Sequence, residues 1–85
     1  MVKINIYSSL FCPYCTRAKM LLEQKGMKYN EIRVDIETER HQEMINLSGR
    51  TSVPQIFFND DHIGGCDDLY LLEAQGELDA RLGLA

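Results

Sequence analysis

Between residues 2 and 26 the spacing of apolar side chains switches from every second residue to every third or fourth, across one short loop, and this switch fixes how the chain begins to fold. Val2 to Tyr7 (VKINIY) alternates apolar and polar residues with β-branched side chains on the apolar positions, the pattern of a strand. After Ser8 to Phe11, the stretch from Pro13 to Lys25 carries Ala18, Leu21, Leu22 and Lys25 at helical spacing, and Gly26 supplies a stop. Tyr29 to Asp35 (YNEIRVD) returns to a period of two, so the helix between the two strands is a crossover and the strands are parallel. Glu37 to Ser48 is predicted helical, with Met44, Ile45 and Leu47 as its apolar contacts and Gly49 closing it.

Farther along, Gln55 to Phe58 (QIFF) and His62-Ile63 form two strand candidates joined through Asn59-Asp60-Asp61, close enough for an antiparallel hairpin. Gly64-Gly65 ends the second strand. Asp67 or Asp68 is expected to cap a helix running through Leu69, Leu71, Leu72 and Ala74 to about Gln75, with a last turn over Glu77 to Leu82. The order βαβαββα predicts an α/β fold with a four-stranded mixed sheet flanked by helices on both faces. Eighty-five residues leave room for one hydrophobic core, so 1–85 is expected to be a single domain.

A hydrophobic fraction of 45% with 26% charged residues is that of a chain able to fold alone. A formal charge of -4 without a run of Lys or Arg lacks the basic footprint that phosphate backbones and anionic membranes require. Nucleic acid and membrane surfaces are therefore not expected partners. The first twelve residues hold no apolar stretch of the ~7–15 residues a signal peptide needs, which makes the cytoplasm the expected location; the expected form is a monomer.

The three cysteines include a close pair, Cys12-Pro13-Tyr14-Cys15. A loop that short staples almost nothing, and in a reducing compartment such a pair is more often redox-active or metal-binding than structural. Its position narrows the choice. Cys12 follows a strand and opens a helix, where backbone N–H groups lack helical partners and the macrodipole stabilises a thiolate. Pro13 suits the first helical position, leaving the amides of Tyr14 and Cys15 free to face the Cys12 sulfur. Cys15, one turn deeper on the same helix face, is the expected resolving thiol. No second CxxC or CxxH is present to complete the four ligands of a structural zinc, so no metal ligands are assigned.

Three segments in order carry a resemblance: Cys12-Pro13-Tyr14-Cys15 with Arg17-Ala18-Lys19 and Leu21-Leu22; Ser48-Gly49-Arg50-Thr51-Ser52-Val53-Pro54-Gln55-Ile56-Phe57; and His62-Ile63-Gly64-Gly65-Cys66-Asp67-Asp68-Leu69. Over nearly its whole length the chain resembles the dithiol glutaredoxins, most closely a bacterial group of them. The resemblance implies a thioredoxin-like fold and a groove for glutathione beside Cys12. It implies a cis bond at Val53-Pro54, with the Ser52-Val53 backbone pairing with the cysteinyl part of glutathione. It further implies that Gly65, Cys66 and Asp67 open a helix whose N–H groups hold the γ-glutamyl carboxylate, while Asp67 or Asp68 takes the amine, and that Tyr14 walls the groove.

Where family members commonly carry a Lys two residues after the first strand's Tyr, this chain has Ser9; His41 on the second helix is the remaining candidate donor to the glycine carboxylate. Phe11 stands where Thr is common, and adds an apolar edge before the nucleophile. The activity implied is glutathione-dependent reduction of protein disulfides and of glutathione mixed disulfides, with no tightly bound cofactor and with disulfide-containing or glutathionylated proteins as partners. Two rivals are a non-enzymatic module holding an iron–sulfur cluster between two protomers through Cys12 and glutathione, and a redoxin served by thioredoxin reductase. Pro13 and Cys15 weigh against the first, since cluster-binding family members usually carry Gly and Ser there; the Gly64 to Asp68 segment weighs against the second.

Overall fold

In the computed structural model, which describes residues 2–84, the alternation along the first strand sorts its side chains onto two faces of a sheet. That strand, β1 (Ile4–Ser8), is followed by α1 (Pro13–Gln24), β2 (Asn30–Arg33), α2 (Thr38–Ser48), β3 (Gln55–Phe58), β4 (Asp61–Gly64), α3 (Cys66–Ala74) and the short α4 (Leu78–Arg81). The strands lie in the order β2-β1-β3-β4. β1 pairs parallel with β2 and antiparallel with β3, and β3 pairs antiparallel with β4. The predicted βαβαββα order is observed, with the last turn present as α4.

Each face buries its own core. Ile4 and Ile6 of β1 and Ile56 and Phe58 of β3 pack beneath Ala18, Leu21 and Leu22 of α1, Leu69 of α3 and Leu78 of α4. On the opposite face Tyr7 and Phe57 meet Ile32, Val34 and Met44, the last from α2. Each fully buried aliphatic side chain here contributes about 1.5–3 kcal/mol relative to exposure. Because β1 and β3 are central, both of their faces are covered, and β3 is buried at all four positions.

Several element ends differ from expectation, β1 among them, which runs over Ile4–Ser8 rather than Val2 to Tyr7, and three of the differences have a local reason. β2 stops at Arg33, short of Asp35, because Asp35 turns back to accept from Arg33 (2.8 and 2.6 Å) and from the Leu10 amide (3.2 Å). The hairpin turn is tighter than predicted: Asp61 already pairs with Phe58, and Asn59 takes the left-handed conformation that its short polar side chain tolerates. The cap of α3 is neither Asp67 nor Asp68. The helix begins at Cys66 with Gly65 as its N-cap, and Asp68 acts from inside the first turn, its Oδ2 accepting from the Gly65 amide at 2.9 Å.

Candidate active site

Cys12 is the N-cap of α1, in extended conformation, with Pro13 opening the helix behind it. Its Sγ accepts from the Cys15 amide at 3.2 Å, and as a thiol it donates to the Val53 carbonyl at 3.7 Å. Its carbonyl takes the Thr16 amide at 3.1 Å and the Thr16 hydroxyl at 3.3 Å, which fixes the cap from below. The sulfur is thus held by a donor suited to a thiolate and faces a loop 41 residues away. Only 8% of the residue is exposed, so little of it is open to a partner.

Cys15 is fully buried one turn deeper. Burial, followed by the hydrogen bond with Cys12, pushes its thiol up to about 12, against the weaker pull of the Ser9 backbone and the Lys19 charge. It therefore rests as a thiol. Burial raises the Cys66 thiol as well, although Arg17 opposes it. Iodoacetamide at pH 8 is accordingly expected to label Cys12 first and to leave Cys15 and Cys66 unmodified in the folded protein; fragment mass spectra locate the adduct, and equal labelling of Cys15 would contradict this burial.

Beside Cys12 the Val53–Pro54 bond is cis. A groove of about 270 Å³ runs past this loop, lined by Tyr14, Ser52, Val53, Pro54, Gly65, Cys66, Asp67 and Asp68, together with Arg50 and Gln55. Three segments distant in sequence converge on it. Gly65 comes so close to the loop that a Cβ there would lie 3.3 Å from the Pro54 carbonyl. The Cys66 side chain points into the α1/α3 core, so this residue offers the groove mainly its backbone. His41 is not in the groove. It lines a separate hollow with Ser9, Asp35, Thr51 and Val53, and its Nε2 lies 3.1 Å from the Thr51 carbonyl. Val53 is the partition shared by the two.

Two groove residues carried no role in the sequence reading. Arg50 Nη1 donates to Asp68 Oδ2 at 2.9 Å across the groove. Gln55, almost fully buried at the head of an apolar strand, donates from Nε2 to the Ser52 carbonyl at 2.9 Å and accepts from His62 Nε2 at 2.7 Å. A polar residue opening the otherwise apolar run QIFF is the signal that points to it. The pair fixes the carbonyl two residues before the cis proline. Burial first, then the Arg50 charge, lowers the His62 imidazole, with Asp68 opposing.

The Gly65 amide, then Arg50, hold the Asp68 carboxyl below the usual carboxylate range. Its ionised form stabilises the fold above the unfolded value of about 3.9, and this contribution is lost as the pH drops through the lower folded value. Asp68→Ala is expected to cost about 1 kcal/mol, or about 4–8 °C in melting temperature. The gap from wild type, followed by thermal denaturation, should narrow below about pH 4; a gap independent of pH would exclude the charged cap.

A buried dithiol at the start of the first helix of a thioredoxin-like fold, facing a cis-proline loop, defines a thiol–disulfide oxidoreductase. The glutaredoxin family model matches residues 4–63. Glutaredoxin 3 of Escherichia coli K12 is 52% identical over 82 residues, covering 96% of this chain and 99% of that one. The solution structure of the Brucella melitensis glutaredoxin superposes with a TM-score of 0.86 at 50% identity, covering 99% and 91%. A crystal structure of a buckwheat glutaredoxin–glutathione complex superposes with a TM-score of 0.89 at 30% identity, covering 96% and 77%. The chain belongs to the glutaredoxin family and is a glutathione-dependent thiol–disulfide oxidoreductase.

Proposed function

We propose that Cys12 is the nucleophile of a glutathione-dependent oxidoreductase that reduces glutathione mixed disulfides and protein disulfides, with glutathione seated in the groove between Tyr14, Val53 and Asp67. The observation that carries this reading is the Cys15 amide on the Cys12 sulfur, 3.2 Å away, with that sulfur facing the carbonyl of Val53, which lines the groove. In the groove, the backbone of Ser52 and Val53 lies beside the cis proline and the first turn of α3 presents its amides, which suits an extended peptide with an anionic end. Asp67 is the better placed carboxylate for the amine, because Asp68 is engaged by Gly65 and Arg50. His41 is proposed as a donor for the glycine carboxylate from the adjoining hollow, where Ser9 brings no charge.

With a glutathionylated client, the Cys12 thiolate attacks the glutathionyl sulfur, a Cys12–glutathione disulfide forms, and the client leaves as a thiolate that takes up a proton. A second glutathione, as thiolate, then attacks the same glutathionyl sulfur, releasing glutathione disulfide and regenerating Cys12. With a client disulfide, Cys12 joins one client sulfur and the other departs. Cys15 gives up its proton, attacks the Cys12 sulfur and expels the second client thiolate, leaving a Cys12–Cys15 disulfide that two glutathiones reduce. The test is reduction of hydroxyethyl disulfide by glutathione, coupled to glutathione reductase; no turnover above the uncatalysed rate overturns the reading. We place this activity in the cytoplasm, on a single-domain monomer, since it draws on a reducing glutathione pool. Among the described residues no helix is long and apolar enough to cross a membrane.

A further inference from the structure

Phe11 is 93% exposed although it sits directly before the nucleophile. It lies outside the residues that line the groove, and Leu10 beside it is 58% exposed. Neither side chain contributes to either core. The loop beneath them is nonetheless fixed. The Leu10 amide donates to Asp35, and Cys12 is anchored on Val53 and Cys15, so Phe11 is presented from a backbone already ordered on both sides. The charge that borders this loop is neutralised, Asp35 by Arg33. An ordered apolar surface with paired charges at its border favours an apolar occupant over a charged one.

We infer that Phe11, with Leu10, is a docking edge that selects client disulfides by the residue next to the attacked cysteine, favouring aliphatic or aromatic neighbours. The inference rests on the proposal that Cys12 attacks client disulfides, and it adds which of them are preferred. Geometry limits its reach. Consecutive Cα atoms are about 3.8 Å apart, so a side chain one residue from the nucleophile touches a client within one or two residues of its attacked sulfur. A small disulfide, having no such neighbour, gains nothing from Phe11. Withdrawing part of two facing apolar side chains from water is worth about five- to ten-fold in kcat/KM.

The experiment compares two peptide disulfide dimers, one with leucine on each side of the cysteine and one with serine, reduced by wild type, Phe11→Thr and Phe11→Leu, with hydroxyethyl disulfide as the neighbour-free substrate. Expressing each result as the ratio between the two peptides within one enzyme, then comparing enzymes, removes differences in intrinsic disulfide reactivity. The expected result is a leucine-to-serine ratio about five- to ten-fold higher in wild type than in Phe11→Thr, largely retained in Phe11→Leu, with hydroxyethyl disulfide turnover and melting temperature unchanged. A ratio that Phe11→Thr leaves unaltered overturns the inference, while failure of all three proteins on hydroxyethyl disulfide overturns the oxidoreductase reading beneath it.

Discussion

Replacing Cys12 by serine is expected to lower glutathione-coupled reduction of hydroxyethyl disulfide and of protein disulfides alike by at least about 10³-fold. A hydroxyl is not ionised at neutral pH and does not exchange with a disulfide, and Cys15 cannot take over because it is fully buried with its thiol pushed up to about 12. The companion variant separates the two cysteines. In Cys15→Ser the donor to the Cys12 sulfur survives, since it is the backbone amide of residue 15. Turnover of glutathione mixed disulfides should then stay within about three-fold of wild type, while a protein disulfide stalls as the mixed disulfide with Cys12. Mass spectrometry of the reaction detects that adduct. Activity persisting in Cys12→Ser would assign the chemistry to another thiol.

Gly64→Ala is expected to be the most destabilising single-atom change at the site, by about 2–4 kcal/mol, or roughly 10–25 °C in melting temperature. Gly64 has φ +121, where L residues are strained, and a Cβ there would collide with the Asp68 carboxylate and come within 2.8 Å of its Cβ. The carboxylate cannot move aside freely, because it is held by the Gly65 amide and by Arg50. The variant therefore breaks the first turn of α3 and disturbs the groove wall, so the KM for glutathione should rise together with the loss of stability. Gly26→Ala is the control. At φ +72 with nothing within 4 Å, it carries conformational strain alone, about 1–2 kcal/mol. Equal melting temperatures for the two variants would show that Asp68 is not a fixed neighbour.

The elements were legible because each carries its own period. Ile4 and Ile6 against Tyr7, and Ile56 and Phe58 against Phe57, divide between the two cores as alternation requires. The helix start at Cys12 was legible because Pro13 has few other uses there. Sequence patterns were silent wherever an end is set by tertiary contact. Asp35 ends β2 by reaching Leu10, 25 residues earlier, and nothing near Asp35 in the chain announces that. The cis bond at Val53-Pro54 was implied by resemblance alone, since one X-Pro sequence looks like another. Arg50 passed without a role because its partner, Asp68, lies 18 residues on in a different element, and Gln55 because an apolar strand pattern does not say which polar group its head residue meets, although the hairpin brings His62 beside it.

The Val53 carbonyl that faces the Cys12 sulfur arrives late in the chain, and Asp68, which ends the groove, arrives later still. Cys12 and the amide that meets its sulfur belong to the start of α1, early in the chain, whereas the loop across from them lies between α2 and β3. The groove is assembled by the pairing of β3 with β1 and by β4, which leads into α3. The reactive thiol and the surfaces that would choose its partner are carried by separate stretches of chain, so substitutions in the later stretch can alter selectivity while the Cys15 amide stays on the sulfur.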